Sequence, residues 1–263
     1  MKTRFQNPPI NELVIATYFN PPLFALRAEH VGLFWSRVRK DFPVVEQQAP
    51  VGGLESFEQL GGDVFPMPRF WFVSQDKINL LQLQKNAFML NWRRHDAEYP
   101  HFAEHLKPTF DRYYRVFEDF AREDVGIQDL KIDLCELTYI NTIESCEYWR
   151  GPEDTAKVIP SFVVPDMGIA GQGAPAFNST FAYILAPDLQ LRVAIRNGEA
   201  TAKPATPVLV FEIRATGRLN QGGGKSAADA WFDRAHEAII GCFVGMTSKD
   251  IQHTYWKPVG EGS

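Results

Sequence analysis

The chain has 263 residues, 45% apolar and 22% charged, with a net charge of −5. This is enough apolar material for one large domain or two small ones. It excludes general disorder and non-specific nucleic-acid binding by the whole surface, though not a local basic patch. Three scattered cysteines, no basic-then-apolar start over Met1 to Pro9 and no apolar run near the roughly 20 residues that span a bilayer argue for a cytoplasmic protein without a signal peptide, membrane anchor or disulfide framework.

Asn11 to Phe19 is rich in β-branched and aromatic residues between Pro8-Pro9 and Pro21-Pro22, and is predicted as a strand. Leu26, Val31, Phe34, Trp35 and Val38 recur at helical spacing, which predicts an amphipathic helix over Leu23 to Lys40. Pro43 to Ala49 has the composition of a short edge strand. Val51 to Pro68, with Gly52-Gly53 and Gly61-Gly62, reads as a loop.

Arg69 to Arg94 then predicts a β-meander of Phe70–Ser74, Ile78–Gln84 and Ala87–Arg93. Its turns fall at Gln75-Asp76-Lys77 and Lys85-Asn86, where asparagine tolerates positive φ. Leu81 and Leu83 alternate with Gln82 and Gln84, so one sheet face is apolar and the other rich in amides and arginine. The apolar face needs a cover. Phe102, Leu106, Phe110, Tyr113, Phe117 and Phe120 supply it as one stripe on a helix opening at Tyr99-Pro100 and kinked at Pro108.

Asp129 to Asn141 predicts another strand, whose Thr138-Tyr139-Ile140-Asn141 echoes Thr17-Tyr18-Phe19-Asn20. Phe162-Val163-Val164 is a short apolar run and Met167 to Pro175 a glycine-rich loop. Thr180 to Leu185 and the alternating Leu189 to Arg196 are strands, with a hairpin turn at Asn197-Gly198. Val208 to Thr216 is a further strand and Gly222 to Gly224 a flexible loop. A closing helix starts with Ser226 as N-cap, Asp229 three residues on, and Phe232, Ala235, Ile239, Phe243 and Met246 on one face.

The order predicts an α+β fold of two fused pseudo-repeats, 1–126 and 127–263, each a strand, a helix, three or four antiparallel strands and a covering helix. The second copy's first helix is the weakest, because Gly151-Pro152 interrupts Glu144 to Lys157. Two such units can share one continuous sheet. The order resembles the repeat of TATA-binding-protein-like and helix-grip folds, a likeness of topology that implies little about function.

Several segments together resemble a sporadically distributed family of uncharacterised bacterial proteins of about this length. They are Pro8-Pro9-Ile10 with the strand to Tyr18, the meander from Leu81-Gln82-Leu83-Gln84 to Asn91-Trp92-Arg93, Tyr99-Pro100, Glu136-Leu137-Thr138-Tyr139-Ile140-Asn141, and His236-Glu237 with Phe243. The resemblance implies no assigned activity or catalytic residues. Its patchy distribution resembles that of phage-defence and mobile gene islands.

Candidate chemistry is sparse. His101-Phe102-Ala103-Glu104-His105 spells the inverted zinc-protease motif, which on a helix puts His101 and His105 on one face with Glu104 as base. No third ligand stands out, and solvated polar residues at a helix start explain the motif. Gly222-Gly223-Gly224-Lys225-Ser226 sits between strand and helix like a phosphate-binding loop, but Leu219 stands where the pattern needs glycine. Simple anion binding at that helix start stays open. His236-Glu237 has no sequence-paired nucleophile. Cys135 and Cys146 read as small core hydrophobes.

The polar sheet face is the main candidate surface: Gln82, Gln84, Asn91, Arg93, Gln190, Arg192, Arg196 and Arg214. It is either a solvated face or a reader of a partner. The reading is a non-enzymatic binding protein, without cofactor or metal, acting on a protein partner in a phage-defence or toxin-neutralising setting. The alternatives are nucleic acid on the same face, with Trp71 for stacking, and a small ligand in a sheet–helix cavity. The partner's identity and the oligomeric state are open at this level.

Overall fold

A computed structural model describes residues 4–51, 67–164, 175–200 and 205–259, with the side chains of 220–222 outside the description. The glycine-rich loops expected around 51–68 and 167–175 lie almost wholly outside the described residues. The fold is α+β. The strands are β1 (Arg4–Phe5), β2 (Ile10–Phe19), β3 (Val44–Gln48), β4 (Arg69–Val73), β5 (Asn79–Gln84), β6 (Ala87–Arg93), β7 (Ile132–Glu144), β8 (Asn178–Ala186), β9 (Leu189–Glu199), β10 (Pro207–Gly223) and β11 (Pro258–Val259). The helices are α1 (Ala28–Val38), α2 (Lys107–Glu123), α3 (Thr155–Val158), α4 (Lys225–Met246) and α5 (Lys249–Ile251).

The chain forms two compact units, one of 13–137 and 216–233, the other of 1–12, 138–215 and 234–263. They do not divide at Gly126, as the order of elements suggests. β2, β7, β10 and α4 each contribute residues to both units.

In the unit built around 13–137, the strands lie in the order β3-β4-β5-β6-β2-β7-β10. The meander pairs antiparallel in the alternating register, with Phe72 opposite Leu81 and Leu81 opposite Leu90. Its left-handed residue is Lys77 (φ 61°) rather than one of Lys85-Asn86. The Lys85 and Asn86 carbonyls instead accept from the backbone N–H groups of Leu23 and Phe19. Helix α1 is shorter than its periodicity predicts. Leu23 and Leu26 are buried ahead of it, and the Arg27 N–H donates to the His30 imidazole at its start.

The aromatic stripe of α2 packs on this sheet. Phe117 stacks on Phe88 at 4.8 Å between ring centroids, and Phe34 of α1 meets Phe72 at 5.1 Å and Phe120 at 5.3 Å. Such rings each bring about 1.5–3 kcal/mol by burial, plus geometry-specific attraction. The interface is filled by stacked rings, which opposes the sheet–helix ligand cavity. Beside Pro108 the helical run changes from π to α geometry. A π-helical turn over Phe102–Leu106 runs directly into α2, and Pro108 sits in the first turn of α2.

In the other unit the strand order is β2-β7-β10-β9-β8, with a separate β1-β11 ribbon. Phe243 anchors its core, 6.0 Å from Phe211, 5.0 Å from Trp256 and 5.8 Å from Phe5. The interrupted segment after β7 holds only a 3-10 turn, Pro152–Asp154, and the four-residue α3. β9 runs through Asn197-Gly198 to Glu199, so the chain does not turn there. The Asn197 side chain bonds the Phe177 N–H at 2.8 Å and the Pro175 carbonyl at 3.0 Å, holding the start of β8. β10 extends to Gly223, so the expected flexible glycine loop is partly strand. In the 13–137 unit, a Cβ on Gly223 would lie 3.0 Å from the Ala227 Cβ and 3.1 Å from the Leu219 Cβ, so a larger residue would press on both neighbours. Helix α4 begins at Lys225, which places Ser226 inside its first turn rather than at the cap. Among the described residues, no helix is long and apolar enough to cross a membrane.

Candidate binding surfaces of the sheet

The eight polar-face candidates fall into two groups, and the structure treats them differently. In the first unit, Gln82, Gln84 and Asn91 are buried, against the expectation that they stay wet. Gln82 Oε1 accepts from Arg69 Nη1 at 2.9 Å and from Trp71 Nε1 at 3.0 Å, while its Nε2 donates to Asn91 Oδ1 at 2.5 Å. Gln84 Oε1 accepts the Val51 N–H at 3.1 Å, and its amide donates to Asn86. Arg69 lies over the Trp71 ring, 5.4 Å from its centroid. The outward register predicted from alternation is correct, since Trp71 pairs with Gln82 and Gln82 with Met89. The amides are nevertheless closed into a network, so they fix the sheet rather than meet a partner. Trp71 is bonded and capped, and is no open stacking platform for bases. Arg93 is half-buried.

In the second unit the expectation of exposure holds. Gln190 and Arg192 are exposed, and Arg196 and Arg214 half-exposed. Glu212 lies between the last two, accepting from Arg196 Nη1 at 3.3 Å and Arg214 Nη2 at 3.0 Å. That neutralisation by a carboxylate two residues from Arg214 weakens a phosphate-reading role. Opposite Gln190, Arg192 and Arg196 stand Ile184, Ala182 and Asn178 of β8, on the same face.

The exposed edge of β8, a strand legible over Thr180 to Leu185, is the feature that sequence reading missed. β8 ends the strand order, and its outer side pairs with no strand among the described residues. Phe181, Tyr183, Ile184 and Leu185 are 40%, 45%, 81% and 53% exposed. On the other side of the strand, Phe181 pairs with Val193 and Tyr183 with Leu191, both core residues. The segment 178–185 carries no charge and no proline, the usual protections of an exposed edge. Its run of apolar residues was legible; its exposure was not.

His101 precedes the π turn with φ 63° and lies 5.3 Å from the Tyr99 ring, so the regular helical face assumed for His101 and His105 does not exist. No group of three His, Cys, Asp or Glu side chains suited to a metal ion occurs among the described residues. Lys225, the lysine of the glycine-rich motif, is held by carboxylates. Its Nζ donates to Asp111 Oδ1 at 2.5 Å and to Asp229, and sits 5.6 Å from the Phe110 ring centroid. Lys107 Nζ completes a four-charge box, 2.7 Å from Asp111 Oδ2 and 2.5 Å from Asp229 Oδ1. Burial opposes the charge on Lys107, but its hydrogen bonds to the two aspartates outweigh that and raise its pKa. An anion at this helix start would face two carboxylates. Asp229→Asn is expected to lower unfolding free energy by about 1–2 kcal/mol, read from denaturant melts, because it leaves two ammonium groups sharing one carboxylate.

His236 Nδ1 lies 2.9 Å from the Tyr139 hydroxyl, with the rings stacked, so His236 belongs to the packing of α4. The three cysteines are free thiols. Burial pushes Cys135 up to about 12 and Cys242 up to about 11. Thiolate is the nucleophile, so iodoacetamide at neutral pH is expected to leave both unmodified in the folded protein and to label them fully in denaturant, as mass spectrometry reads directly.

One open cleft of about 500 Å³ lies beside the aromatic stack, lined by Lys40, Asp41, Ser74, Asp76, Arg112 and Tyr113 among others. Tyr113 donates to Asp41 Oδ2 at 2.7 Å and Arg112 Nη2 does so at 3.1 Å, so the Asp41 carboxylate is matched within the cleft. Compared with known proteins, the chain matches no family model and no curated protein.

Proposed function

We propose that this chain is a non-enzymatic, cytoplasmic binding protein and that it acts on a protein partner. The observation that supports this reading is the outer edge of β8. There, backbone groups that pair with no strand among the described residues and four exposed apolar side chains are arranged for a partner strand, with Gln190 and Arg192 beside them. Main-chain bonds would supply affinity, and the apolar side chains of β8 with the neighbouring Gln190 and Arg192 specificity. A phage-defence or toxin-neutralising setting rests on the family resemblance. The reading of nucleic acid on the same face has less support, since Glu212 holds Arg196 and Arg214 and the Trp71 ring is capped by Arg69.

The test is affinity capture from the cells that make the chain, with wild type and Ile184→Lys compared. Ile184 is 81% exposed, so the substitution leaves the core intact. A protein recovered near stoichiometry by wild type and reduced at least about tenfold by the variant is the expected result. Equal recovery by both, or turnover of a substrate by the purified chain, removes the reading.

A further inference from the structure

We infer that the outer edge of β8 pairs with β8 of a second copy of this chain, antiparallel, about a two-fold axis passing through Ala182. The inference rests on the reading of β8 as a docking edge, and names its occupant.

Charge is the first argument. Residues 178–185 contain no Lys, Arg, Asp or Glu. A strand selected for a charged partner would carry the complementary sign. A neutral strand can meet its own copy without like charges facing each other.

Self-complementarity is the second. In an antiparallel pair centred on Ala182, Phe181 falls opposite Tyr183 of the other copy, and Tyr183 opposite its Phe181. On the outer face Thr180 falls opposite Ile184 of the other copy, twice by symmetry. The centre is Ala182 against Ala182, the smallest side chain of the segment, where the axis brings two identical residues together. Both residues of the aromatic pair stand on the core-facing side of the strand, beside buried Leu191 and Val193. The second copy would therefore extend that apolar layer past the present edge and cover the half-exposed Phe181 and Tyr183 rings. The irregularity in β8 pairing lies between Ile184 and Ala186, at the end of this segment, and leaves Asn178 to Ile184 in unbroken register.

Sedimentation equilibrium of the full chain over a range of concentrations tests the inference, together with a charge pair at the axis. Wild type is expected to be a dimer at micromolar concentration. Ala182→Lys and Ala182→Glu each put two like charges directly opposite one another, and each is expected to weaken self-association at least about tenfold. Mixing the two variants is expected to restore the dimer as a mixed species, because the central pair is then lysine against glutamate. Circular dichroism of each variant checks that it is folded.

Wild type that remains monomeric at about 100 µM, roughly a hundredfold above a micromolar constant, overturns the inference whatever the variants do. So does a dimer that neither charge weakens, or one weakened by both and not restored by mixing. A monomeric wild type that still captures a different protein through β8 would sink self-pairing while leaving the binding reading in place. A dimer with no other captured protein would do the reverse.

Discussion

Phe88→Ala is expected to lower the unfolding free energy by about 3–5 kcal/mol. Phe88 is completely buried. Its ring touches Phe117 at 4.8 Å, Tyr114 at 5.9 Å, Phe110 at 6.0 Å and Phe34 at 6.2 Å. These neighbours are rigid rings locked by one another, so they cannot collapse into the space left behind. The cavity term therefore adds in full to the lost transfer free energy. Against the ~5–15 kcal/mol typical of a folded protein, this is a substantial fraction of the whole. Urea melts check it: the midpoint falls while the slope is kept. Phe24→Ala is the control. Phe24 is 52% exposed, and its loss is expected to change stability by about 0.5 kcal/mol or less.

Gln82→Leu comes second, with an expected loss of about 2–4 kcal/mol. The apolar leucine removes the acceptor for Trp71 Nε1 and Arg69 Nη1 and the donor for Asn91 Oδ1 in one step. Asn91 Oδ1 loses its bond from Gln82 Nε2 at a residue only 5% exposed, so water replaces that bond poorly. The double variant Gln82→Leu with Asn91→Leu is expected to recover part of the loss, because it removes the acceptor that has lost its Gln82 donor rather than leaving it buried. Melts of the two singles and the double form the cycle. A Gln82→Leu protein as stable as wild type would mean that the amides are replaceable and the network is incidental.

Much of the architecture was legible because the relevant signals are short-range. Alternation of Leu81 and Leu83 with Gln82 and Gln84 sets which face each side chain occupies, and the pairing follows it. The spacing of Phe110, Tyr113, Phe117 and Phe120 places them on one buried stripe of α2. Local chemistry misled where a second signal lay outside the window. Asn197-Gly198 has turn composition, but Asn197 is consumed by hydrogen bonds to Pro175 and Phe177, some 20 residues earlier, and the strand continues. His101-x-x-Glu104-His105 has zinc spacing only on a regular helix, and the π turn with the positive φ of His101 removes that premise.

Alternation assigns Gln82, Asn91, Arg192 and Arg196 to the outward side of their strands, but outward is not the same as wet. Which outward residues are covered depends on chain brought over them from elsewhere. Arg69 and Trp71 close over Gln82, whereas Arg192 is exposed. The same holds for edges. The composition of Thr180 to Leu185 is that of a strand buried on both sides, and only the strand order places it last.

The sequence by itself determined the α+β class, nearly every strand and long helix, and the aromatic cover of the meander, because each follows from backbone periodicity and the burial of apolar side chains within one element. Only the tertiary structure decided which polar residues are sealed into a network, which lysines are neutralised by distant aspartates, and which strand is left with an open edge. Those properties depend on what a segment far along the chain places next to a given side chain, and burial, pairing and exposure are relations between segments rather than properties of either one.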